Sequence, residues 1–260
     1  MHEERPDITD ARQIRSWLLE CGRYSRETAR RTLQQLNAAC NWAVSMDLIE
    51  FNPFSGLTRY LGPGRQQTGN NYTAFTADER QAILSEFKKA PDHHWDWVWF
   101  LFHTGCRPEE ASALRWEDVA SDFSEILINE ALPVDTRIRQ PTKTYRTTRF
   151  PCNQPMREFL SDLHDRRRPG VEWLIPAASG GPFDYKNFQT RYWKPRIEQL
   201  VSDRKLSFYL SEYHCRHTFI TEMVSSGMSE QDVSYLCRVS PYIIQAHYLS
   251  QSRRVEVPVF

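Results

Sequence analysis

The sequence predicts a mainly α protein with a small antiparallel β-sheet, an α+β fold. It is divided into a small helical domain at 1–58, a linker at 59–72 and a larger domain at 73–260. Three observations carry this expectation. Apolar residues recur at helical spacing through most of the chain. Two short segments, 125–132 and 147–152, instead have the β-branched and aromatic content of strands. Between 57 and 72 the apolar period stops and Gly, Gln and Asn take over, which is how a linker reads.

The first helix is expected over 11–21, where Ile14, Trp17, Leu18 and Cys21 share one face. A second begins at Ser25, a good N-cap, with Glu27 in its first turn and a stripe of Ala29, Leu33, Leu36, Cys40 and Ala43. Arg26, Arg30 and Arg31 on this helix read as a solvated polar face, and Asn52-Pro53 ends the region. In the larger domain, Thr76 and Glu79 form a capping box ahead of Ile83, Leu84 and Phe87. The aromatic run "HHWDWVWFLFHTG" follows as a buried helix. Residues 103–119, "HTGCRPEEASALRWEDV", read as a Gly turn and then an apolar helix ending in Trp-Glu-Asp. The two strand segments flank a turn that holds Lys143. Helices return around "NFQTRYWKPRIEQL", in "RHTFITEMVSSG" closed by Gly227, and in "SEQDVSYLC" with Ser229 as N-cap.

No apolar run reaches membrane-spanning length, and "MHEERPDITD" has no signal-peptide core. The six cysteines form no CxxC pair and read as free thiols, which points to a cytoplasmic protein. Net charge is zero, yet 27 of the 33 basic residues are arginine, the side chain whose planar fork grips phosphate. Balanced charge still permits a basic face opposed by an acidic one.

Two stretches stand out. In the first, Arg107 follows a Gly and precedes Glu110 by three residues; taken alone, the two would simply pair. The second is "YHCRHTFITEMVSSGMSEQDV" followed by "SPYIIQAHYL", with Arg216 near its start and Tyr248 near its end. Together, in this order, they resemble the two motifs of the tyrosine recombinase (phage integrase) family, and the resemblance extends over nearly the whole chain. Residues 1–58, with "LNAACNWAV", are similar to part of that family's helical core-binding domain. Residues 73–260 are similar to its catalytic domain.

The resemblance implies a DNA strand transferase acting through a 3′-phosphotyrosyl intermediate. Tyr248 occupies the nucleophile's place, and Arg107 and Arg216 occupy those of the paired phosphate-binding arginines. Fixed arginine forks stabilise the charge that develops on the phosphoryl oxygens without reorganising. Lys143 stands where the family carries the lysine that protonates the leaving 5′-oxygen; Arg146 and Arg149 are nearby alternatives for a phosphate contact. Bond energy is conserved through the phosphotyrosine, so no cofactor is implied.

The chain departs from the family pattern twice. The second motif usually reads His-x-x-Arg, but three residues before Arg216 stands Tyr213, with His214 one place off. A one-residue shift turns a helical side chain by about 100°. Tyr213 therefore takes the site, as a hydrogen-bond donor and not a base at neutral pH. The family's Leu-Gly-His appears as Leu236-Cys237-Arg238, which places at Arg238 a group that donates but accepts no proton. His217, the next residue after Arg216, reads as structural. Three neighbours such as His214, Cys215 and His217 point in different directions on a helix, and no second cluster lies at zinc-like spacing, so no metal is expected.

The partner implied is double-stranded DNA, held mainly through phosphates, with a homo-tetramer on paired sites and a monomer without DNA. Localisation with the nucleoid follows, as does association with a mobile element. The family's arrangement leaves room for an amino-terminal arm-binding portion ahead of the first domain. Tyr213 and Arg238 motivate a second reading, a degenerate relative that binds DNA without cutting it. A type IB topoisomerase uses the same chemistry as a monomer and is the third.

Overall fold

The structure is a computed structural model that describes residues 7, 9–57, 72–90, 94–142 and 145–249. The chain falls into two compact units, Met1–Asn71 and Tyr72–Phe260. All but Tyr72 of the linker expected at 59–72 lies outside the described residues, and so does Lys143.

The smaller unit is built on α1 (Ala11–Glu20) and α2 (Arg26–Ser45). Local hydrogen bonds start both helices. Asp10 accepts from the backbone of Arg12 and Gln13, and Ser25 accepts from Thr28. Ala11 and Leu18 meet Ala29, Leu33 and Phe54 in a small core. Asn52 ties the following turn back to α2 by donating to Asn37 and Asn41. Arg30 and Arg31 both donate to Glu27, at 3.0 and 2.9 Å, along the polar face of α2.

The larger unit opens with α3 (Ala77–Lys89), started by the Thr76–Glu79 capping box. Next comes α4 (Trp95–Thr104), apolar on every side, with Trp97, Val98, Phe100, Leu101 and Phe102 all buried. Such a helix is stable only inside a core. It packs against α3 and a later helix, α9 (His214–Ser225). Gly105 ends α4 in the left-handed region at φ 60°; a Cβ there would lie 2.6 Å from the Phe219 ring. Among the described residues, no helix is long and apolar enough to cross a membrane.

The apolar helix expected after Arg107 is cut short. Only one turn forms, α5 (Pro108–Ala111), and a separate 3-10 turn covers Trp116–Asp118. Between them the backbone is drawn into extended pairing with a distant segment. Leu174 donates to Leu114, and Trp116 donates to Glu172. Those bonds replace the helical ones that the local sequence favours.

Strand β1 (Glu125–Ile128) pairs antiparallel with β4 (Thr148–Pro151), in the register Glu125 to Pro151 and Ile128 to Thr148. Ile126, Ile128, Thr148 and Phe150 face the core, while Arg149 meets Glu125 on the open face. The short β2 (Glu130–Ala131) and β3 (Gln140–Pro141) pair beside them. The connection from β3 to β4 closes as Tyr145 donates to the Thr142 carbonyl.

The rest is helical: α6 (Gln154–Asp165), α7 (Tyr185–Phe188), a wide turn over Gln189–Trp193, and α8 (Lys194–Ser202). Then come α9 (His214–Ser225), α10 (Glu230–Cys237) capped by Ser229, α11 (Pro241–Ile244), and a final wide turn over Gln245–Leu249. Tyr235 of α10 is bonded to β4, accepting from Thr148 and from the backbone of Arg149, so sheet and helices form one body.

Candidate active site

Three short pieces of chain meet at the site. Gly105–Glu110 leads from α4 into α5, α9 carries Arg216 and His217, and the end of α10 supplies Cys237 and Arg238. Arg107 is the residue at the start of α5. Its guanidinium donates to Glu110 at 2.6 Å and to the Arg238 carbonyl at 3.2 Å, while its backbone N–H also donates to Glu110. The pairing of Arg107 with Glu110 that the sequence suggested is present, and the same carboxylate serves a second arginine.

That second arginine is Arg238, whose Nη2 donates to Glu110 Oε2 at 2.8 Å and whose Nη1 donates to the Leu236 carbonyl. Its side chain has no exposed surface, and its backbone is left-handed at φ 53° where α10 ends. Arg238 is therefore turned into the protein, onto Glu110 and toward Cys106 Sγ at 3.7 Å. Burial alone would raise the Glu110 pKa, but the charges of Arg238, Arg107 and Arg216 outweigh it and hold the carboxyl at about 2. A carboxylate this deep survives only because it is paired.

Arg216 is buried on the first turn of α9. Its Nη1 donates to the Gly105 carbonyl at 2.6 Å, and its Nη2 donates to the Cys237 carbonyl. The consecutive carbonyls of Cys237 and Arg238 thus receive Arg216 and Arg107 respectively. One turn of backbone holds both forks.

Tyr248 lies on the wide turn after α11 and is 1% exposed. Its hydroxyl is 2.5 Å from His217 Nδ1. Tyr72 stands edge-on to Tyr248, with ring centres 5.5 Å apart, and stacks flat on His247 at 3.8 Å. Burial pushes the Tyr248 hydroxyl pKa up, against the opposing pull of the Arg216 charge. Burial pushes His217 the other way, to about 3, with the His214 and Arg216 charges adding to it. At neutral pH both groups are uncharged.

Tyr213 is the residue just before α9, 38% exposed, with its ring 5.3 Å from that of His217. His214 Nδ1 is bonded locally to Ser211. Arg149 is engaged by Glu125 on the open face of the sheet. The cysteines of the site are inert: burial raises both thiols, Cys237 to about 11.

The structure thus brings Arg107, Arg216, Arg238, Tyr213 and Tyr248 together. Sequence reasoning missed three neighbours of Tyr248. His217 read as structural, Tyr72 as the last linker residue, and His247 drew no attention. No local pattern singles out His217, since Cys215 to Ile220 are all buried in α9.

Solved structures share the fold. The Tn1549 transposon integrase in complex with a circular intermediate DNA superposes with a TM-score of 0.74 at 18% identity, covering 92% of this chain and 82% of that one. A lambda integrase tetramer bound to a Holliday junction gives 0.61 at 14%, covering 87% and 61%. XerA recombinase gives 0.53 at 16%, covering 97% and 86%. No curated protein sequence matches the chain. Residues 73–238, more than half of the chain, match the phage integrase family, and the chain belongs to that family, the tyrosine recombinases.

Proposed function

We propose that this chain is a site-specific recombinase that cleaves and rejoins double-stranded DNA through a 3′-phosphotyrosyl intermediate. Tyr248 is the nucleophile. Arg107 and Arg216 hold the phosphoryl oxygens, Tyr213 donates a further hydrogen bond, and Lys143 protonates the leaving 5′-oxygen. Arg238 acts through Glu110, positioning Arg107. One observation carries the reading: successive carbonyls at the end of α10 receive Arg216 and Arg107, and the residue after Arg216 holds the Tyr248 hydroxyl. Nucleophile and phosphate forks are thereby organised by one frame.

The reaction needs no cofactor, because the phosphotyrosine stores the bond energy for rejoining. The working unit is a homo-tetramer on paired sites. Family membership and the tetrameric lambda integrase on its junction support this.

The test is a nicked suicide duplex, drawn from the DNA flanking the gene or selected from a random-sequence pool. The wild-type chain forms a covalent adduct and Tyr248→Phe forms none. Lys143→Ala is slow on an ordinary phosphodiester and recovers when the leaving oxygen is replaced by sulfur, which departs without a proton. Specific binding with no adduct would favour a non-cleaving DNA-binding protein. Relaxation of any supercoiled plasmid without site preference would favour a topoisomerase.

A further inference from the structure

We propose that His217 is a catalytic residue of this chain, accepting the Tyr248 proton at Nδ1 as the tyrosine oxygen attacks phosphorus. This rests on the recombinase reading and adds to it the fate of the nucleophile's proton.

The contact is direct, with Nδ1 2.5 Å from the hydroxyl it would deprotonate. The two places where the family resemblance expects a histidine hold groups that take no proton in this chain. Tyr213 is a phenol, and Arg238 is a permanent cation already bonded to Glu110. His217 is therefore the base that the structure puts against the nucleophile.

Its surroundings keep it ready. Facing it are His214, Arg216 and Tyr213 on or beside α9, Tyr248 on the turn after α11, and Tyr72 ahead of α3, itself stacked on His247. Burial and the neighbouring positive charge hold the imidazole neutral, so a lone pair is present throughout the physiological range. The same burial keeps the Tyr248 hydroxyl protonated, so attack requires a base. An incoming phosphodiester brings negative charge to Arg216, offsetting the positive field at His217 and strengthening it as a base when DNA is bound.

The step balances. The bond from Tyr248 Oη to phosphorus forms, and the bond from phosphorus to O5′ breaks. The tyrosine proton passes to His217 Nδ1, and O5′ takes a proton from Lys143. Rejoining runs the same transfers backwards.

Two measurements on the full chain test this. The first is single-turnover adduct formation on the nicked duplex by wild type and His217→Asn, whose amide oxygen replaces the acceptor without its basicity. The variant is expected to be at least about 100-fold slower at pH 7. Its rate should climb about tenfold for each pH unit as tyrosinate accumulates, while the wild-type rate stays flat from pH 6.5 to 8. A sulfur leaving group does not rescue it. The second is nitrogen-15 NMR of the imidazoles in wild type and Tyr248→Phe, expected to show His217 Nδ1 as a proton-free acceptor that shifts when the hydroxyl is removed.

A His217→Asn profile parallel to wild type, or Nδ1 carrying the proton in an adduct-forming enzyme, overturns the inference and leaves the recombinase reading intact. A wild-type chain that forms no adduct on any duplex overturns that reading and the role of His217 with it.

Discussion

Glu212, one residue before Tyr213, is buried, and among the described residues only the Trp97 indole is directed at its carboxyl, at 3.4 Å. Burial pushes its pKa from 4.5 up to about 8, and the Trp97 bond offsets little of this. The native chain therefore keeps this proton over a range in which the unfolded chain has lost it. Stability from this group is full below pH 4.5, falls as pH rises from there, and is gone above about 8. That displacement corresponds to about 5 kcal/mol in all, of which about 3 kcal/mol falls between pH 5.5 and 8, at 1.36 kcal/mol per unit.

Glu212→Gln replaces the carboxyl with a neutral group of the same shape and removes the dependence. Urea unfolding of both proteins, followed by tryptophan fluorescence across pH 5.5–8.5, measures the difference directly. The variant should exceed wild type by about 1 kcal/mol at pH 5.5 and by about 4 kcal/mol at pH 8, so the gap widens by about 3 kcal/mol across the range. Other titrating groups, His217 among them, are common to both chains and cancel. A stability difference that stays constant over the range would refute the argument.

Three further outcomes follow from the geometry. Glu110→Gln leaves Arg238 buried beside a neutral partner and should destabilise the larger unit by about 3–5 kcal/mol, read as a lowered Tm. Gly105→Ala meets both left-handed backbone and the Phe219 ring at 2.6 Å; a loss of about 2–4 kcal/mol is expected, with weaker adduct formation because Gly105 also receives Arg216. Tyr213→Phe removes one donor at a half-exposed place, so adduct formation should slow about tenfold or more while the unfolding free energy stays within about 0.5 kcal/mol of wild type.

What could be read from the sequence was what local chemistry determines. Ser25, Thr76 and Ser229 start their helices because each side chain accepts from the backbone N–H three residues ahead. The strand segments at 125–132 and 147–152 show themselves by composition, and β1 and β4 fall within them. The helix after Arg107 was over-read because its end is decided by pairing with 172–174, far away in the chain. For the same reason the roles of His217 and Glu212 were hidden. Tyr248 is 31 residues from His217, and Trp97 is 115 from Glu212. Tyr72 borders a segment without apolar period, and nothing local says that its ring meets His247. Arg107 and Arg216 were legible through a spaced motif, whereas the carbonyls that orient them belong to a turn that only the fold brings near.

Arg216 is held by Gly105 on one side and Cys237 on the other. The arginine proposed to hold the phosphate is thus also the rivet that joins the end of α4 to the end of α10. Loosening either end frees the fork from its aim, so under the proposed function the geometry needed to break a DNA strand exists only in a fully assembled molecule. On that proposal, a chain caught partway through folding, or beginning to unfold, is disarmed before it can nick the DNA around it.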